Sequence, residues 1–233
     1  MSARLIVALD FPAASPALAL ARQLAPLRPW MKVGLELLMH AGPRVVTELC
    51  DLGLPVFLDG KFHDIPNTVA GAVHGAAQSG AGIINVHAGG GLRMMRAARE
   101  AVQDTEPRPL IIAVTVLTSL SPEELREEAG VSRSLLDQVV TLAQLAREAG
   151  LDGVVASVAE TAAIKAACGS DFLVITPGIR PATGTVDDQR RIATPRDAIA
   201  AGADYLVVGR PITQAPAPLA ACAAILDEMS KTD

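Results

Sequence analysis

The amino-acid sequence predicts a (β/α)8 barrel of the α/β class, forming a single domain over residues 1–233. Two observations carry this reading. Short runs rich in Val, Ile and Leu alternate eight times with longer Ala/Leu-rich stretches of helical spacing, and no linker or shift in composition separates them. Polar residues then gather at the C-terminal end of almost every run, the end at which barrels assemble their chemistry. An open doubly wound sheet also alternates strand and helix, but usually with fewer repeats and a Gly-rich first turn. Here the first run ends in Leu9-Asp10-Phe11-Pro12.

The first run is Leu5–Leu9, ending at Asp10, and the second is Met31–Gly34, which carries Lys32. The third, Leu54-Pro55-Val56-Phe57-Leu58, follows a Gly-Leu-Pro turn and reads as a buried parallel strand that ends at Asp59. The fourth, Ile83–Val86, leads through His87 into Ala88-Gly89-Gly90-Gly91. That glycine run lacks dinucleotide-fingerprint spacing and predicts close packing or backbone approach near a site. The fifth run, Leu110–Val114, opens into Thr115-Val116-Leu117-Thr118, and the sixth is Gly153–Ala156. The seventh, Phe172–Ile175, runs into Thr176-Pro177-Gly178-Ile179-Arg180-Pro181, and the eighth, Tyr205–Val208, ends in Gly209-Arg210. Between them lie stretches such as Asp137–Ala149, several of which stop at a glycine (Gly53, Gly80, Gly150, Gly202). Met94-Met95 is expected to pack a barrel helix.

Composition narrows the partners. Half the residues are hydrophobic and 19% are charged, as in an ordinary soluble globular protein. A net charge of −5 without a basic run argues against nucleic acid or a membrane surface. An anionic small molecule needs only a local positive site. No apolar run approaches the roughly 20 residues of a bilayer span, and the start has no signal-peptide layout. Cys50, Cys168 and Cys222 are widely spaced, with no C-x-x-C pair, and read as small apolar core residues in a reducing compartment. The four histidines fall in different segments, so no zinc pattern or other metal set is expected. The cytoplasm is the expected location.

The chemistry centres on Asp59-Gly60-Lys61-Phe62-His63-Asp64-Ile65-Pro66-Asn67-Thr68. Asp59 and Lys61 are two apart at a strand end, so both side chains are expected on one face. Asp64 adds a second carboxylate, and Ile65-Pro66 fixes the backbone ahead of a helix. A lone D-x-K-x-x-D string also describes solvated surface ion pairs. Placed after a buried strand, it suits a charge network that holds an ammonium ready to donate a proton. His63 and His87 are expected to support or build this site rather than act as bases.

At the far end of the sequence, Gly209-Arg210 stands where barrels commonly hold a phosphate. Glycine lets backbone N–H groups approach an anion, and arginine grips it bidentately. Taken alone the pair fits a turn glycine and a surface arginine better. The long polar loop from Arg180 to Arg191 favours the anion, because its closure lays Arg180 and Gln189 on the same group.

These pieces resemble the bacterial type of the orotidine 5′-phosphate decarboxylase family. The matching segments are Val7–Asp10, Lys32–Gly34, Phe57–Thr68, Asn85–Ala88, Ala113–Ser119, Val174–Pro181, Asp188–Arg191 and Val208–Pro211, in order along the chain. One departure is Gly60, where members often carry a larger apolar residue. The resemblance implies cofactor-free decarboxylation of orotidine 5′-phosphate to uridine 5′-phosphate in de novo pyrimidine synthesis. It implies Lys61 as proton donor to C6, Asp59 beside the departing carboxylate, and Lys32 with Asp64 completing an alternating charge array. It further implies a homodimer in which Asp64 crosses to the partner's site. Asp10, Lys32 and Thr68 would then hold the ribose side, Thr118 the pyrimidine edge, and Arg180, Gln189, Gly209 and Arg210 the phosphate.

Two rival readings stand beside it. A metal-dependent sugar-phosphate decarboxylase or aldolase of the same barrel lineage shares D-x-K-x-x-D, but places an acidic metal ligand near the second strand, where this chain has Lys32. A non-catalytic nucleotide-binding barrel would keep the pocket and be expected to lack Lys61 or Asp59; both are present.

Overall fold

The structure, a computed structural model, describes residues 4–180 and 193–230. Eight parallel strands close into a barrel in sequence order: β1 (Arg4–Ala8), β2 (Trp30–Val33), β3 (Val56–Phe62), β4 (Ile83–His87), β5 (Leu110–Val114), β6 (Gly153–Val155), β7 (Leu173–Thr176) and β8 (Tyr205–Val208). Closure comes from β8 pairing with β1, Leu5 opposite Leu206 and Val7 opposite Val208. Every expected run is therefore a strand of one (β/α)8 barrel. The expected helix at 137–149 is Leu135–Glu148, with the Ser134 side chain accepting from the Asp137 N–H to cap its start.

The strands read as continuous apolar runs because both of their faces are buried. Ile6, Ala8, Phe57, Ile83, Ile112, Ile175, Tyr205 and Val207 point inward and fill the barrel. The alternate residues, such as Val7, Met31, Val33, Val56, Leu58, Ile84 and Val86, pack against the surrounding helices. Removing each large side chain from water contributes about 2 kcal/mol. The N-terminal end of the barrel is plugged: Trp30 meets Tyr205 edge to face at 5.7 Å, and Arg4 Nη1 donates to the Tyr205 hydroxyl at 3.1 Å. Nearby, Arg108 pairs bidentately with Asp152, whose carboxylate also accepts the Ile111 N–H. The other end is left open.

Inward parity, read two residues at a time, carries the chain from this core to the open end. Ile6 and Ala8 lead to Asp10, Trp30 to Lys32, Phe57 to Asp59 and Lys61, and Ile83 to Asn85 and His87. The third strand runs past its expected end at Asp59. It continues to Phe62, with its register against β4 shifting between Leu58 and Phe62 and Lys61 in the left-handed region at φ 48°. Gly60 sits inside this irregular stretch. A Cβ there would stand 2.9 Å from the Phe62 ring, so the aromatic side chain occupies the space that a larger residue would need. Gly90 likewise makes room for Met94, which with Met95 lies on the buried side of the helix Gly91–Glu100, as the glycine run and the methionine pair predict.

Candidate active site

A cavity of about 590 Å3 opens at the C-terminal end of the barrel. Asp10, Lys32, Asp59, Lys61, Thr118, Arg180, Gly209 and Arg210 line it, so the barrel brings together residues up to 200 positions apart in sequence. Gln189 lies outside the described residues. Among the described lining residues, Lys32, Lys61, Arg180 and Arg210 face three carboxylates, Asp10, Glu36 and Asp59. The cavity thus carries a local positive excess although the whole chain is acidic, which suits an anionic ligand.

On the β1–β3 side the charges alternate. Lys32 Nζ stands 3.1 Å from Asp10 Oδ1 and 3.2 Å from Asp59 Oδ2, and Lys61 Nζ donates to Asp59 Oδ1 at 2.6 Å. Lys32 and Asp59 are both buried, and each would be costly there alone. Burial by itself pulls the Lys32 ammonium pKa down, but Asp59 and then Asp10 outweigh it and the net displacement is upward. Burial likewise raises the Asp59 carboxyl, and Lys32, Lys61 and the Asn85 hydrogen bond reverse this and hold it below the usual carboxylate range. Both groups therefore stay charged at neutral pH. Gly34 keeps the space free: a Cβ there would stand 2.8 Å from Lys32 Nζ and 3.2 Å from Asp10 Oδ1.

Two expected site residues lie elsewhere. Asp64 is exposed, its Oδ1 accepting the Ile65 N–H at 2.6 Å, and Thr68 is exposed on the first turn of the helix Pro66–Gln78. Neither lines the cavity of its own chain. The array in one chain is therefore Asp10–Lys32–Asp59–Lys61, because β3 runs on to Phe62 and carries Asp64 past the barrel rim.

Sequence reasoning missed the part played by Asn85. It is wholly buried on β4, donates from Nδ2 to Asp59 Oδ1 at 2.6 Å and accepts the Lys61 N–H at 2.7 Å. A polar residue at inward parity in an otherwise apolar run was its available signal. His87, next inward on β4, lies 5.4 Å from His63 ring to ring. Burial first, then His63 and Lys61, lowers its pKa and keeps the imidazole neutral at neutral pH, as befits a supporting histidine.

On the β7–β8 side, Arg180 is buried and its backbone N–H is bonded to the Ala193 carbonyl at 2.9 Å. Gly209 and Arg210 follow β8, and Arg210 opens a four-residue helix, Arg210–Thr213. A Cβ on Gly209 would lie 3.6 Å from the Ala8 Cβ and 3.9 Å from Asp10 Oδ2, so this side abuts the charged array across the β8–β1 seam.

The sequence model of the orotidine 5′-phosphate decarboxylase / HUMPS family matches residues 3–225. The chain belongs to this family. A relative from Halorhodospira halophila named orotidine 5′-phosphate decarboxylase is 56% identical over 227 residues, covering 97% of this chain and 96% of its own. One from Chromohalobacter salexigens, of the same name, is 55% identical with the same coverage. Among solved structures, orotidine 5′-phosphate decarboxylase from Lactobacillus acidophilus superposes with a TM-score of 0.87 at 38% identity, covering 97% of this chain and 99% of that one. The Pyrococcus horikoshii enzyme superposes with a TM-score of 0.79 at 26% identity over the same shares. The family match spans both sides of the cavity, the charged array of β1–β4 and the arginines after β7 and β8.

Proposed function

We propose that this chain decarboxylates orotidine 5′-phosphate to uridine 5′-phosphate and CO2, without metal or cofactor, as a step of pyrimidine biosynthesis. The observation that carries the proposal is the alternating Asp10–Lys32–Asp59–Lys61 array opening on the same cavity as Arg180 and Arg210. In this reading the bond from C6 to the carboxyl carbon breaks and its electron pair stays on C6, in the ring plane, where the π-system cannot spread it. The Lys61 ammonium faces that charge as it forms, already fixed by Asp59, and so stabilises it without reorganisation. Lys61 then transfers its proton to C6, and solvent reprotonates the neutral amine. Asp59 lies beside the departing carboxylate. We assign it chiefly to holding Lys61, since its Oδ1 accepts from Lys61 and Asn85 at once. Thr118 serves the pyrimidine edge, Asp10 and Lys32 the ribose, and Arg180, Gln189, Gly209 and Arg210 the phosphate.

The proposal extends to a cytoplasmic homodimer of single-domain chains. Asp64 and Thr68, exposed and four residues apart, are supplied to the partner's cavity rather than to their own. This is supported by the large apolar side chains exposed on connections that leave strand C-termini: Leu35, Met39, Ile65 and Leu117. Among the described residues no helix is long and apolar enough to cross a membrane.

The deciding experiment is the loss of orotidylate absorbance with purified protein. Turnover is expected to survive exhaustive chelation and to gain nothing from magnesium, because the ammonium of Lys32 stands where the metal-dependent rival needs an acid. Loss on chelation, restored by added metal, would favour that rival. Binding of the nucleotide without turnover would favour the non-catalytic barrel. The phosphate grip is tested by Arg210→Ala, which is expected to cost about 3 kcal/mol, or roughly a hundredfold in kcat/KM, on the phosphorylated substrate. The bare nucleoside should react no more slowly than with the unaltered protein. Equal losses on both substrates would assign Arg210 to something other than phosphate.

A further inference from the structure

Lys61 has an unusual backbone. Among the described residues it is one of two non-glycine residues at positive φ, the other being Arg28, which caps a short helical turn. It lies within the stretch where the β3–β4 register shifts, and its N–H is taken by a side chain, Asn85 Oδ1 at 2.7 Å. The same amide donates from Nδ2 to Asp59 Oδ1 at 2.6 Å, and that oxygen also receives Lys61 Nζ at 2.6 Å. The contacts close a ring: Lys61 backbone, Asn85 amide, Asp59 carboxylate, Lys61 ammonium. The partners fix the amide's orientation, since a backbone N–H needs an acceptor and a carboxylate needs a donor.

We infer that Asn85 is a positioning residue for the reaction, tying both ends of Lys61 to one rigid amide plane so that the ammonium is held where the charge develops. The inference rests on the decarboxylase reading above. Asn85 is fully buried and does not line the cavity, so it acts through Lys61 and Asp59. Only a side-chain amide offers an acceptor and a donor in one plane at this length; aspartate keeps the acceptor and loses the donor, and alanine loses both. With the ring broken, Lys61 Nζ keeps its charge and its bond to Asp59 but loses its fixed place, and small misplacements of a reacting group are costly in rate. The Asn85 bond is also one of the contacts holding the Asp59 pKa down, so its loss moves that pKa up.

The test compares the unaltered protein, Asn85→Ala, Asn85→Asp and Lys61→Ala in orotidylate turnover, uridine 5′-phosphate binding by calorimetry, and melting temperature. For both Asn85 variants kcat is expected to fall about a hundredfold. KM and product binding should stay within about twofold, because the cavity wall is untouched. The acidic limb of the rate profile should move to higher pH in Asn85→Ala, as Asp59 becomes easier to protonate. A kcat within about threefold of the unaltered protein would overturn the inference, as would kcat, binding and melting temperature falling together. Failure of Asn85→Ala to fold leaves the isosteric Asn85→Asp to show or lack the same split. Failure of both to fold would make Asn85 a core residue and nothing more. An inactive unaltered protein, or an active Lys61→Ala, would instead sink the decarboxylase reading itself.

Discussion

Lys61→Ala is expected to lower orotidylate turnover by roughly four orders of magnitude or more, since one substitution removes both the proposed proton donor and the charge proposed to stabilise the carbanion. The fold should survive. Asp59 keeps Lys32 at 3.2 Å and Asn85 at 2.6 Å, so the buried carboxylate is not left without a partner. Alanine also carries a Cβ, so the left-handed backbone at this position costs the variant no more than it costs lysine. Lys61→Arg is the sharper control, because a guanidinium keeps the charge but does not release its proton near neutral pH. It too should be inactive. Turnover close to that of the unaltered protein in Lys61→Ala, with circular dichroism and melting temperature unchanged, would remove Lys61 from the chemistry.

The second large effect is expected from subunit exchange. If Asp64 serves the partner's cavity, Lys61→Ala and Asp64→Ala homodimers are each almost inactive, yet mixing them restores activity. In a mixed dimer one cavity inherits both lesions and the other neither, because a two-fold contact is reciprocal. Random exchange gives about half mixed dimers with one intact cavity each, hence roughly a quarter of all sites. Exchange is followed by mass or by a tag. Confirmed exchange with no recovered activity would show that Asp64 works in its own chain.

The barrel was legible in the sequence because its strands are buried on both faces and carry unbroken apolar runs. The charged positions were legible for the same reason: Lys32 and Asp59 interrupt such runs at inward parity, where an ionised side chain has no place without partners. The irregular path of β3 was not legible. Gly60 and a left-handed Lys61 both weaken a strand pattern, and the compensating bond to Asn85 comes from a residue 24 positions away. The motif alone does not say which cavity Asp64 serves. Only Phe62 and His63 separate it from Lys61 in sequence, but they carry the chain off the end of the strand and past the rim of its own cavity. Gly34 escaped notice because the clash it avoids is with Asp10 and Lys32 jointly, and only the folded register of β1 on β2 brings that pair together.

The seam between β8 and β1 joins residues some 200 positions apart, Arg4 opposite Tyr205 and Val7 opposite Val208. A contact of that span is among the last that a growing chain can make, and the entropy of closing it must be met before the contact rewards it. On the ribosome, β1 to β4, with Asp10, Lys32, Asp59, Lys61 and Asn85, emerge well ahead of β8. Without β8 the sheet would have two unpaired edges, and its inner face of Ile6, Phe57, Ile83 and Ile112 would lie open to water, an arrangement prone to aggregate. Gly209 and Arg210 are made at the same late moment that β8 seals those edges. On the proposed reading, a chain that stops short of β8 would therefore lack both the closed barrel and the residues assigned to the phosphate, and its open sheet would invite aggregation.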